Sequence, residues 1–206
     1  MPHILPEPSV TGPRHISDTN LLAWYQRSHR DLPWREPGVS PWQILVSEFM
    51  LQQTPAARVL AIWPDWVRRW PTPSATATAS TADVLRAWGK LGYPRRAKRL
   101  HECATVIARD HNDVVPDDIE ILVTLPGVGS YTARAVACFA YRQRVPVVDT
   151  NVRRVVARAV HGRAHPCAPS VPDYHLDVLA LPPPYHIVPA LIRRARSCSP
   201  TTRTPP

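Results

Sequence analysis

From Asp18 to about Val160 the apolar residues recur three and four positions apart, and no run alternates between apolar and polar. That period belongs to helices with one buried face, and it excludes a half-buried sheet. The punctuation agrees. Asp18 or Asn20 stands where an N-cap belongs, ahead of Leu21, Leu22 and Tyr25, and Asp31-Leu32-Pro33-Trp34 closes that helix. Ser40-Pro41-Trp42-Gln43 reads as a capping box with proline at the first helical position, opening a helix through Gln52. Thr54-Pro55 opens another, bearing Val59, Leu60, Ile62, Trp63, Trp66, Val67 and Trp70, with a kink expected at Pro64. Thr81 caps a short helix carrying Val84, Leu85, Trp88 and Leu91, which Gly92 stops. A basic amphipathic helix is predicted over 95–110, a short one over 117–125, and two more over 130–142 and 151–160. The fold class is all-α.

The formal net charge is +9 and the sequence pI about 10.0, which points to an acidic partner, most often nucleic acid. The stretch from Met1 to Pro13 is rich in proline and lacks the apolar segment of a signal peptide, and no apolar run is long enough to span a membrane. A soluble, cytoplasmic monomer is expected, nucleoid-associated if bacterial. Cys103, Cys138, Cys167 and Cys198 form no CxxC pair, so neither a disulfide framework nor a zinc site is legible. Beyond Gly162 the character changes. Ten of the 25 prolines fall within 165–206, and every tryptophan lies at or before Trp88. This tail is predicted to be irregular, with at most a helical turn or two near 186–196. It reads as translation in a shifted frame would.

Leu125-Pro126-Gly127-Val128-Gly129 separates two helical patterns. Two glycines permit positive φ, so the turn is expected to present amides at the start of the next helix, a cradle for a DNA phosphate. A bare Gly-x-Gly is more often an ordinary helix–helix turn. Glu48 sits among Ile44, Leu45, Phe49, Met50 and Leu51, where partial desolvation would raise its pKa. On the polar stripe of an amphipathic helix it would be an ordinary surface glutamate. Asp149, just before a helical pattern, is by itself a plain N-cap. Arg95, Arg96, Lys98 and Arg99 suit phosphate contacts or, equally, a solvated helix face.

The full string Leu125-Pro126-Gly127-Val128-Gly129-Ser130-Tyr131-Thr132-Ala133 resembles the helix-hairpin-helix signature of DNA repair glycosylases. Val147 to Val155 resembles the stretch that carries that superfamily's essential aspartate, here Asp149. Ser47-Glu48-Phe49-Met50-Leu51-Gln52-Gln53-Thr54 resembles the segment holding the catalytic glutamate of the adenine-removing MutY type. Leu32-Pro33-Trp34-Arg35 and Leu91-Gly92-Tyr93 are similar to further positions of that type. Tyr131 stands where bifunctional glycosylase-lyases carry a nucleophilic lysine, so no Schiff base at the sugar is expected.

The resemblance covers roughly residues 18–165. It implies a helix-hairpin-helix glycosylase fold: a six-helix barrel over 31–145, and a second, incomplete lobe built from 18–30 and from the aspartate segment and helix of 146–164. Residues 1–17 are then a disordered lead-in and 165–206 an aberrant Pro/Arg-rich tail. It implies base excision repair by monofunctional hydrolysis of the N-glycosidic bond of adenine, opposite 8-oxoguanine or guanine in duplex DNA. Glu48 is the implied acid and later base, and Asp149 stabilises or traps the sugar cation, kept ionised by the helix N-terminus. Tyr131 and Asn151 orient the carboxylates. Gln52, Gln53 and Tyr93 fill or prop the opened duplex, and the amides at Val128 and Gly129 of the Pro126-Gly127-Val128-Gly129 turn hold the backbone. The family also implies a 4Fe–4S cluster, but its four-cysteine motif is absent from this chain, so no metal ligand is assigned. Three other readings remain: a catalytically impaired DNA-binding remnant, a bifunctional glycosylase-lyase for damaged pyrimidines, against which Glu48 and Tyr131 argue, and a generic helical interaction protein.

Overall fold

A computed structural model of the chain describes residues 18–159 and Ala164. The described elements are helices and turns, without a strand among them: α1 (Asp18–Ser28), α2 (Pro41–Leu51), α3 (Ala56–Leu60), α4 (Trp63–Arg69), α5 (Pro73–Ala77), α6 (Thr81–Trp88), α7 (Arg95–Asp110), α8 (Ile119–Leu122), α9 (Ser130–Tyr141) and α10 (Thr150–Ala159). Short 3-10 turns occupy Pro33–Arg35 and Gly89–Leu91. The chain divides into two compact units. Residues 29–147 hold α2 to α9, and α1 and α10 belong to the other. Among the described residues no helix is long and apolar enough to cross a membrane. The predicted lead-in 1–17 and tail 165–206 lie outside the described residues.

Prolines begin helices here rather than interrupt them. Pro41, Pro64 and Pro73 each sit in a first turn, where a missing N–H leaves no bond unmade. The capping box at Ser40 forms as read: its hydroxyl accepts from the Gln43 amide, and Gln43 Oε1 accepts from the Ser40 amide at 2.9 Å. The single kinked helix expected after Pro55 is instead two helices, α3 and α4. The Pro64 ring would collide with the carbonyl of a helix continued from Leu60, so the chain stops and restarts at Ile62. Thr72 caps α5, an element too short for apolar periodicity to reveal, and the Asp113 carboxylate secures it by accepting from the amide and hydroxyl of Ser74 at 2.6 and 2.8 Å. Ser80, not Thr81, caps α6. The helix predicted over 117–125 shrinks to α8, which Asp118 caps.

Within residues 29–147 the core is tryptophan-rich. Trp66 meets Trp70 and Trp88 edge to face, and Trp34 meets Trp63 likewise. Indole N–H groups of Trp42, Trp63 and Trp88 donate to the carbonyls of Trp70, Gln43 and Gly92. The helix α2 lies at the centre, packed against α3, α4, α7 and α9. Its residues Trp42 and Ile44 through Met50 are all buried, as a helix that is apolar on every side requires.

The turn between α8 and α9 is anchored to this core. Gly127 has φ 79, and a Cβ there would stand 2.8 Å from both Arg99 Cβ and Phe49 Cε1. The backbone of the turn thus lies directly on α2 and α7, with no room for a side chain. Gly127→Ala should cost about 2–4 kcal/mol, from left-handed strain and overpacking together, read by urea unfolding of the full chain. A loss below about 1 kcal/mol would contradict this close approach.

Candidate active site

Because α2 has no polar stripe, Glu48 cannot be a surface glutamate. It is 4% exposed. Burial pushes its carboxyl above the ordinary value of 4.5, and the opposing pull of the Arg35 guanidinium is the smaller effect. Arg35 Nη2 stands 3.6 Å from Glu48 Oε1. It is delivered by the 3-10 turn Pro33–Arg35, which buried Trp34 pins into the core. The same guanidinium lies over the Phe139 ring, 3.4 Å from its centroid, so a cation–π contact holds it in place. From the sequence alone Arg35 has a place in a motif but no task. Its pairing with Glu48 is legible only once Trp34 fixes the turn. The Cys138 thiol nearby is pushed up by burial and by Glu48, against the pull of Arg35 and Arg142.

The chain leaving α2 carries the proposed wedge. Gln52 is half-buried, and its Nε2 reaches Thr132 Oγ1 at 3.4 Å. Gln53 is exposed with φ 54, and Tyr93 is 61% exposed with φ 49. Left-handed backbone costs a side-chain-bearing residue roughly 1–2 kcal/mol, so something must hold both in place. Arg96 lies between them and corrects the expectation for the basic cluster. Its guanidinium points inward, donating to carbonyls of Phe49, Met50, Gln52, Leu91 and Gly92 and to Thr54 Oγ1. Arg99 pairs with Glu102 at 2.8 Å. Arg95 and Lys98 remain exposed on α7.

Only one of the two hairpin glycines uses positive φ. Gly129 is extended, with φ −92 and ψ 175, and serves as the N-cap of α9. The Val128 amide is already spent, donating to the Leu125 carbonyl at 3.1 Å within the turn. The amides of the first turn of α9 have no acceptor inside the helix. Tyr131 lies in that turn, 39% exposed, with Pro126 on the other side of Gly127.

Asp149 and Asn151 belong to the unit of α1 and α10. The Asp149 carboxylate accepts from the Val152 amide at 2.7 Å and from Asn151 Nδ2 at 3.1 Å. It is thus both the cap of α10 and oriented by Asn151, and the two roles coexist.

Comparison with known proteins decides the family. The model of the HhH-GPD superfamily of base excision DNA repair proteins matches residues 46–166. The chain belongs to that superfamily. It is 96% identical over 183 residues to an adenine DNA glycosylase of Mycobacterium tuberculosis (strain CDC 1551 / Oshkosh), covering 89% of this chain and 60% of that protein. It is 41% identical to the adenine DNA glycosylase of Homo sapiens over 68% of this chain and 27% of that one. A thermostable thymine-DNA glycosylase structure superposes with a TM-score of 0.64 at 29% identity, covering 67% of this chain and 64% of the other. A trapped endonuclease III–DNA intermediate shares the fold, with a TM-score of 0.61 at 23% identity over 68% and 64%. The chain thus spans under two thirds of the length of the curated relatives it matches.

Superfamily membership raises the question of an iron–sulfur cluster, which is held by cysteine thiolates. The described cysteines do not fit one. Cys103 and Cys138 are buried in the unit of α2 to α9, and burial pushes the Cys103 thiol up to about 12. Among the described residues no three His, Cys, Asp or Glu side chains converge as metal ligands. Cys167 and Cys198 lie outside the described residues.

The raised pKa of Glu48 has a sign in stability. The native state holds this proton more tightly than the unfolded chain, so its contribution is fully present below 4.5 and is lost as pH rises through the folded value. Glu48→Gln does not titrate. Its stability relative to the parent should climb from pH 4.5 upward and level off above the raised pKa, read by urea unfolding at a series of pH values. Parallel curves for the two proteins would contradict the shift.

Proposed function

We propose that this chain excises adenine from duplex DNA, opposite 8-oxoguanine or guanine, by hydrolysing the N-glycosidic bond without lyase chemistry. The single observation behind the reading is the buried Glu48, an acid pushed towards its protonated form at the end of a helix that leads straight into the wedge residues. The names of the relatives support adenine as the base.

Adenine must leave the stack before its bond to the sugar is accessible. Gln52, Gln53 and Tyr93 prop the gap, and the first-turn amides of α9, after Gly127, hold a backbone phosphate. Glu48 then passes its proton to a ring nitrogen of adenine. The bond between sugar and base breaks, its electron pair leaving with the base, and positive charge develops on the sugar. The Asp149 carboxylate stabilises that charge or bonds to it, with Asn151 fixing its orientation. Glu48, now a carboxylate, takes a proton from the attacking water. The products are free adenine and an abasic sugar. Tyr131 in place of an amine leaves no Schiff-base route.

Single-turnover release of adenine from a duplex with an A:8-oxoguanine pair tests this. The parent should be active, with a rate that falls as pH rises through the raised Glu48 value, because the protonated form does the work. Glu48→Gln should slow release by roughly 10²-fold or more while duplex binding persists. A parent that binds DNA but releases no adenine identifies a binding remnant. A borohydride-trapped adduct identifies lyase chemistry. A fully active Glu48→Gln variant removes Glu48 from its role.

A further inference from the structure

We infer that Arg96 is a positioning residue that fastens the two wedge-bearing segments, 52–54 and 91–93, into one rigid unit, an inference that rests on the wedge reading above. The planar guanidinium donates to both segments. Its Nη1 donates to the Phe49, Met50 and Gln52 carbonyls. Phe49 and Met50 lie in the last turn of α2, whose carbonyls have no partner inside the helix. Its Nη2 donates to Thr54 Oγ1 at 2.8 Å and to the Leu91 and Gly92 carbonyls at 3.1 Å each. Thr54 Oγ1 in turn reaches the Gln52 and Leu91 carbonyls at 3.3 Å, a second strut across the same gap.

The flanking geometry shows why a strut is required. Gln53 and Tyr93, the exposed residues that the two segments present, both have left-handed backbones. Each would relax if released. The guanidinium carbon also lies 5.2 Å from the Trp88 ring centroid and 5.4 Å from that of Tyr93, so the aromatic on the wedge and the aromatic in the core bracket the same cation. A wedge that yields when pressed cannot hold a base pair open. The fork makes Gln53 and Tyr93 move as one body with the helix that carries Glu48. Lysine would keep the charge but offers no planar fork.

The test uses the full chain and two readouts. In the free protein, amide hydrogen exchange of Arg96→Lys should rise in 52–54 and 91–93 together, while α4 and α9 keep their protection. In a duplex carrying 2-aminopurine in place of the adenine, opposite guanine, fluorescence reports extrusion. Arg96→Lys should slow extrusion by roughly ten- to a hundred-fold with little change in binding to an unmodified duplex. Should Arg96→Lys fail to fold, Thr54→Val removes the second strut and should shift both readouts in the same direction. Unchanged exchange in the two segments overturns the clamp, whatever the DNA result. Raised exchange with unimpaired extrusion overturns the positioning role. A parent that extrudes no base from any duplex sinks the proposed function and this role with it, and is told apart by failing before any substitution is made.

Discussion

A carboxyl group sits inside a helix that is apolar on every side, and the arrangement of residues 29–147 follows from accommodating it. Burial of α2 demands partners all round, supplied by α3, α4, α7 and α9. Glu48 is carried into the core with its neighbours, and the energetic tension of an acid there is relieved in two ways: it keeps its proton longer, and Arg35 stands beside it. From the same helix Phe49 forms the floor under Gly127, and Gln52 and Gln53 leave its C-terminal end. The acid, the Gly127 turn and the Gln52–Gln53 segment are thus fixed by consecutive turns of one element. A change that tilts α2 would disturb all three together.

Two arginines illustrate how a basic chain divides its charge. Arg35 and Arg96 are turned inward, one onto an acid and an aromatic face, the other onto carbonyls at a helix end. Both are sites where a planar fork matters more than the charge. Arg95 and Lys98 stay on the exposed face of α7, available for long-range attraction to a phosphate backbone. The net charge of +9 therefore overstates what faces a polyanion.

The helical class, the capping box at Ser40 and the extent of α7 were legible because each rests on local spacing. The break between α3 and α4 is legible only as a kink, since a sequence does not say whether proline bends a helix or restarts it. Helix α5 went unread because one turn has no period and its stability comes from Asp113, far along the chain. The burial of Glu48 is legible from its apolar neighbours, and the capping by Asp149 from its place before a helix. The use of the Val128 amide inside the turn is not legible, because its bond to Leu125 is a product of the turn itself. The inward roles of Arg35 and Arg96 depend on contacts between distant segments, and no local pattern announces those.

The proposed chemistry depends on the protonation of Glu48, and carbon-13 NMR reads that directly in the free protein. The side-chain carboxyl resonance of Glu48, assigned by its disappearance in Glu48→Gln, should titrate with a midpoint well above 4.5. A midpoint at or below 4.5 would mean that Arg35 outweighs burial and that the residue has no proton to give near neutrality.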